Sequence, residues 1–166
     1  MSESARILVI DDEESIRKTI AMTLEHAGYI VDTAENGKKA LEKAKADFFN
    51  LALIDIRLPD MEGTELLRSL EEATPKMVKI ILTGFPTLQN AVRAISKGVD
   101  AYLIKPVDSD ELLRLIKEHL EKQKSNTKYD QDKLAQFLET RFKELTTQEI
   151  DRAMESPDGD NAGKKV

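Results

Sequence analysis

Leu51-Ala52-Leu53-Ile54-Asp55-Ile56-Arg57-Leu58-Pro59-Asp60-Met61-Glu62-Gly63 opens as an unbroken apolar run, stops at an acid and turns at Pro59 and Gly63. Four apolar residues without polar alternation read as a strand covered on both faces. Thr64 to Leu70 then follows with helical spacing. Four further runs carry the same strand signal: Ile7-Leu8-Val9-Ile10, Tyr29-Ile30-Val31, Val78-Lys79-Ile80-Ile81-Leu82 and Ala101-Tyr102-Leu103-Ile104. Helical patterns separate them. Ile16, Ile20 and Leu24 repeat every four residues and stop at Gly28, and Ala40, Leu41 and Ala44 follow Asn36-Gly37. Leu88 to Ile95 follows Pro86 and stops at Gly98. Leu112, Leu113, Ile116 and Leu120 follow Asp108, with Glu111 at capping-box spacing. Five alternations of strand and helix predict an α/β fold with a doubly wound parallel sheet, because parallel neighbours need long right-handed crossovers. In such folds ligands sit outside the carboxyl ends of the strands.

Composition narrows the function classes. The 166 residues fit about one domain, with 40% hydrophobic and 34% charged residues, a globular mix. Cysteine is absent, which excludes a disulfide scaffold, a thiolate metal site and a cysteine nucleophile. The formal charge of −6 argues against a general nucleic-acid binder, which needs a basic face. No apolar run approaches the roughly 20 residues of a membrane span. Met1-Ser2-Glu3-Ser4-Ala5-Arg6 lacks the apolar core of a signal peptide, so the expected location is cytoplasmic, with no membrane partner.

Chemistry collects at the predicted strand ends. Strand one ends in Asp11-Asp12, strand three in Asp55, strand four in Thr83-Gly84 and strand five in Lys105-Pro106. Singly, each is an ordinary cap or turn residue. Together, three carboxylates in one crevice repel by about 4 kcal/mol per pair at ~4 Å and an effective dielectric near 20. A hard divalent cation relieves that repulsion, and Mg²⁺ favours a few carboxylates plus water and phosphate oxygens. Three acids, a lysine and a hydroxyl around such an ion make a phosphoryl-transfer set.

Four motifs carry a family resemblance. They are Ile10-Asp11-Asp12-Glu13; Leu53 through Gly63; Ile81-Leu82-Thr83-Gly84; and Gly98 through Pro106. In order and spacing, residues 5 to about 122 resemble the response-regulator receiver domain of two-component signalling. The resemblance implies a flavodoxin-like (βα)5 fold with strand order 2-1-3-4-5. It implies Asp55 as phosphoacceptor, and Mg²⁺ held by Asp11, Asp12, Asp55 and the backbone carbonyl of Arg57. Lys105 would bind a phosphoryl oxygen and Thr83 the phosphorylated aspartate, with Tyr102 responding to that bond. Gly84 would leave the site open to a donor, and Pro106 would fix its turn through a cis peptide. The implied donor is a sensor histidine kinase or phosphotransfer protein. Val107, where Phe is frequent, and Ala101, where one DNA-binding subfamily has Asp, depart from the pattern; the second weakens any expectation of that subfamily's dimer.

The alternatives belong to other classes. An aspartyl-phosphate phosphatase of the haloacid-dehalogenase kind would have Asp-x-Asp after strand one, where this chain has adjacent acids. A flavodoxin-like binder would need a Gly-rich phosphate loop there. A receiver-like scaffold that is never phosphorylated would not need the intact acid set. His26 and His119 lie on helices away from the strand ends and read as surface residues.

Beyond the receiver region (1–122), Gln123-Lys124-Ser125-Asn126-Thr127-Lys128 has no apolar residue, and residues 123–129 read as a linker. Residues 130–154 read as a helical extension striped by Leu134, Phe137, Leu138, Phe142 and Leu145, expected to dock or self-associate. Residues 155–166 read as a disordered tail, in which Asp158-Gly159-Asp160-Asn161 lacks the glutamate of a calcium loop. From 123 to 166 eight Lys/Arg face nine Asp/Glu, too few residues and too little positive charge for a DNA-reading module. Output is therefore expected through protein contacts, with a homodimer as one form, and the receiver itself is not expected to be a turnover enzyme.

Overall fold

A computed structural model describes residues 4–74, 76–84 and 86–155; within the last helix, side chains at 127–134, 148–150 and 153–155 are outside the description. The elements run β1 (Arg6–Ile10), α1 (Glu14–His26), β2 (Ile30–Ala34), α2 (Gly37–Ala46), β3 (Leu51–Ile54), α3 (Gly63–Ala73), β4 (Val78–Thr83), α4 (Leu88–Ser96), β5 (Ala101–Ile104) and α5 (Ser109–Glu155). All strands are parallel, in the order β2-β1-β3-β4-β5.

The near-continuous apolar runs split by the period of two that a strand imposes. Leu8, Ile10, Ala52, Ile54 and Ile81 pack with Ala40, Ala44, Leu66, Leu67, Leu70 and Ala94 from α2, α3 and α4. Ile7, Val9, Leu51, Leu53, Val78 and Ile80 pack on the other face with Leu24 of α1 and with Leu112 and Ile116 of α5. The apolar residues of β1, β3 and β4 in these two clusters thus have a helix above or below them, which is why no polar alternation was needed. The edges differ. β2 is only partly covered, and it runs on through Asp32 and Thr33, polar residues that an apolar-run criterion stops short of. Asp32 is tolerated there because Lys43 of α2 pairs with it at 2.8 Å. Gly28, which ends α1, has φ +99°, a left-handed stop that side chains disfavour.

The expected linker at 123–129 is helical instead, part of one helix from Ser109 to Glu155. No glycine or proline occurs between these residues, so nothing breaks the i→i−4 ladder, and polarity alone does not end a helix. The Gln123 amide also donates to the backbone carbonyls of Asn50 (2.9 Å) and Lys76 (2.8 Å), tying it to the first unit. The chain divides into compact units Met1–Gln123 and Lys124–Val166. In the second unit Phe137, Leu138, Phe142 and Leu145 are all more than half exposed. Charges between them pair along the helix, Arg141 with Glu144 and Lys143 with Glu139. The expected tail, apart from Glu155 at the helix end, lies outside the described residues, as does the Asp158–Asn161 stretch.

Candidate functional site

Register brings the polar strand ends level. Ile10 is opposite Ile54, Ile54 opposite Ile81, and Thr83 opposite Ile104, so the next residues emerge along one carboxyl edge. Pairing continues just past the strands: Asp55 N–H donates to Ile10 O at 3.0 Å and Lys105 N–H to Thr83 O at 2.8 Å. Asp11, Asp12 and Asp55 each offer a carboxylate oxygen to one cluster in which these atoms lie within 4.8 Å of one another. Asp11 and Asp55 are buried, and Asp12 is exposed. That donor set, hard oxygens with an open exposed side, fits a magnesium ion that keeps several waters.

Lys105 crosses the sheet edge to reach the acids. Its Nζ lies 2.5 Å from Asp11 Oδ2 and 3.4 Å from Asp55 Oδ2. Burial pushes the ammonium pKa down, but the hydrogen bond and charge of Asp11, then Asp55, outweigh it and hold it above the ordinary lysine value. Burial raises the Asp55 pKa above the usual carboxylate value; Lys105 and the Arg57 N–H oppose this, and the Asp11 charge adds to it. One cation thus stands between two carboxylates, leaving the site rich in negative charge.

The β3–α3 turn is shaped around the acceptor. Arg57 is exposed, and its N–H reaches Asp55 Oδ1 at 3.4 Å. Gly63 is required by close approach: a Cβ there would lie 2.5 Å from the Asp55 backbone oxygen. Gly84 is different, since a Cβ would meet only Lys105 Cβ at 4.0 Å; the space beside it is open without glycine being needed. The Lys105–Pro106 peptide is cis. Thr83 is fully buried, and the alternation of β4 puts it on the same sheet face as Ile81, whose partner on β5 is Tyr102. The Tyr102 ring packs against the α2–α4 side of the core. Its hydroxyl is buried with no hydrogen-bond partner among the described residues.

An unpaired buried hydroxyl costs about 1–3 kcal/mol. Tyr102→Phe is therefore expected to keep or raise stability by about 1 kcal/mol in urea unfolding. A loss of that size would mean the hydroxyl is satisfied in solution.

Two residues near the site carried no sequence signal strong enough to find them. Arg17 of α1 donates from Nη1 to the Asp11 carbonyl at 2.7 Å, and its only mark was a cation in the second turn after an acid pair. Asp60 bonds across 22 and 23 residues to α2, which no local pattern announces. His26 and His119 contribute nothing to the cluster; His119 Nδ1 faces the Leu115 carbonyl in its own helix.

The response regulator receiver domain family matches residues 7–117. A receiver domain protein (CheY-like) from Methanospirillum hungatei is 44% identical, with TM-score 0.74, covering 75% of this chain and 99% of that one. The response regulator TrrA of Thermotoga maritima, solved in complex with Mg²⁺-BeF, is 32% identical with TM-score 0.64, covering 69% of this chain and 98% of its own. Among curated proteins, the transcriptional regulatory protein ZraR of Klebsiella oxytoca is 38% identical over 118 residues; the match takes in 71% of this chain but 27% of that protein. With the fold, the strand-end acids and this match in agreement, the chain belongs to the response regulator receiver domain family.

Proposed function

We propose that the chain is a phosphorylation-activated response regulator of the cytoplasm, which accepts a phosphoryl group on Asp55 from a sensor histidine kinase or phosphotransfer protein. One observation carries the reading: Asp11, Asp12 and Asp55 converge at the carboxyl ends of adjacent strands, with the Lys105 ammonium reaching into them. A carboxylate oxygen of Asp55 attacks phosphorus, the bond to the donor breaks, and an aspartyl phosphate remains on the chain. Because the product stays on the protein, the chemistry is self-modification rather than turnover. Lys105 offsets charge on the transferring oxygens. Asp11, Asp12, Asp55 and the Arg57 carbonyl would hold Mg²⁺, which supplies further neutralisation of those oxygens.

Output by protein contact, rather than by DNA, is supported by two features of this chain. The exposed Phe137, Leu138, Phe142 and Leu145 give its second unit an apolar face suited to a partner helix, including that of a second copy. Its net charge is negative, against the needs of phosphate-backbone binding.

The test is hydrogen exchange and amide NMR with and without Mg²⁺ and beryllofluoride. Phosphorylation adds roughly −1.5 to −2 charge and three acceptor oxygens beside Thr83. Changes are expected across β4, α4 and β5, and in exchange across 135–147. Thr83→Ala should still take up phosphoryl groups yet lose most of those changes, because the hydroxyl that would follow the new oxygens is gone. Wild-type shifts in Thr83→Ala would refute the coupling, and a wild type that does not respond would refute the switch.

A further inference from the structure

The β3–α3 loop carries both Asp55 and Arg57, so its shape decides where their oxygens point. Its ends are pinned close to β3: Gly63 N–H donates to Ile56 O at 2.7 Å, and Arg57 bridges Glu62. The middle of the loop is held by a different device. Asp60 is exposed, yet its carboxylate accepts two consecutive backbone N–H groups at the start of α2. Gly37 N donates to Oδ1 at 2.9 Å and Lys38 N to Oδ2 at 2.9 Å. The next N–H, of Lys39, is taken by the Asn36 side chain at 2.8 Å, so Asp60 completes a cap that Asn36 begins. First-turn N–H groups carry partial positive charge, so an ionised acceptor suits them. The Gly37 bond, with that of Lys38, holds the Asp60 carboxyl below the usual range despite its exposure.

These bonds join segments more than 20 residues apart in sequence. A helix cap needs only a local side chain, and Asn36 already supplies one. What Asp60 adds is a tie from α2 to the turn that follows Arg57. We propose that Asp60 is a positioning residue for the cation site: its two-pronged bond to the start of α2 holds the Leu58–Met61 turn so that the Arg57 carbonyl and the Asp55 carboxylate face one ion. The proposal rests on reading Asp11, Asp12, Asp55 and the Arg57 carbonyl as the Mg²⁺ site.

The experiment is Mg²⁺ titration of the full chain, followed by calorimetry and amide NMR, with metal-free melting to check folding. Partners that orient ligands change metal affinity by about 10–100-fold when removed. Asp60→Ala is expected to raise the Mg²⁺ dissociation constant about 10-fold. Asp60→Asn keeps one good acceptor and should fall between Asp60→Ala and the wild type. A merely structural cap would lower the melting temperature and leave the dissociation constant alone. Folded Asp60→Ala with wild-type Mg²⁺ affinity overturns the proposal. Should Asp60→Ala not fold, Asp60→Asn decides: a raised constant supports the role and an unchanged one overturns it. A wild type that binds no Mg²⁺ overturns the site reading and this proposal with it, so the two failures are distinguishable.

Discussion

Asp55→Asn is expected to abolish phosphoryl uptake from acetyl phosphate, taking labelling from stoichiometric to undetectable. The amide has no carboxylate lone pair to offer phosphorus, and neither Asp11 nor Asp12 sits at the end of the central strand where the loop opens around the acceptor. The same substitution should stabilise the metal-free fold. Burial, and secondarily Asp11, raise the Asp55 pKa in the folded chain. A raised carboxylate contributes stability that is complete below the unfolded value near ~3.9 and is lost as pH rises through the folded value. Removing the charge should therefore leave stability little changed in acid. It should raise stability at neutral pH, where the buried charge is otherwise present. Urea unfolding from acid to neutral pH measures this. Labelled Asp55→Asn, or a stability gap that narrows as pH rises, would contradict the assignment.

Removing the cation should have the second-largest effect. Lys105→Met keeps the side-chain length but leaves Asp11 and Asp55, both buried, without the ammonium between them. Breaking a fully buried ion pair costs about 3–5 kcal/mol, and the partial exposure of Lys105 brings the expectation to roughly 1–3 kcal/mol in metal-free protein. Mg²⁺ should recover part of this, since it neutralises the same carboxylates. It should not recover the transfer rate. Losing one preorganised charge aimed at the transferring oxygens costs about 10²–10³-fold, measured as the rate of labelling at saturating Mg²⁺. A rate within a few-fold of wild type would remove Lys105 from the chemistry.

What could be read from the chain alone follows from the range of the interactions involved. β1, β3 and β4 were legible because helices on both faces let most of their residues be apolar, and the polar residue that ends each run lies at the carboxyl edge of the sheet. The end of β2 was less legible, because Asp32 becomes acceptable only through Lys43, eleven residues on. The stretch after Lys122 misled because its polarity resembles a linker; helix continuity depends on the absence of glycine and proline and on anchors such as Gln123, whose partners Asn50 and Lys76 are far away in sequence. At the site, Asp11, Asp12, Asp55 and Lys105 were legible because strand ends in a parallel sheet must meet. Arg17 and Asp60 were not, since each acts on a backbone group that any residue could have supplied.

The central claim is that Asp55 itself carries the phosphoryl group. Its direct test is to expose the wild-type chain to acetyl phosphate with and without Mg²⁺, trap the acyl phosphate by borohydride reduction and locate the reduced residue by peptide mass spectrometry. The account predicts one modified residue per chain, Asp55, formed only when Mg²⁺ is present. Modification at any other residue, His26 and His119 included, or an unmodified chain at saturating Mg²⁺, would contradict it.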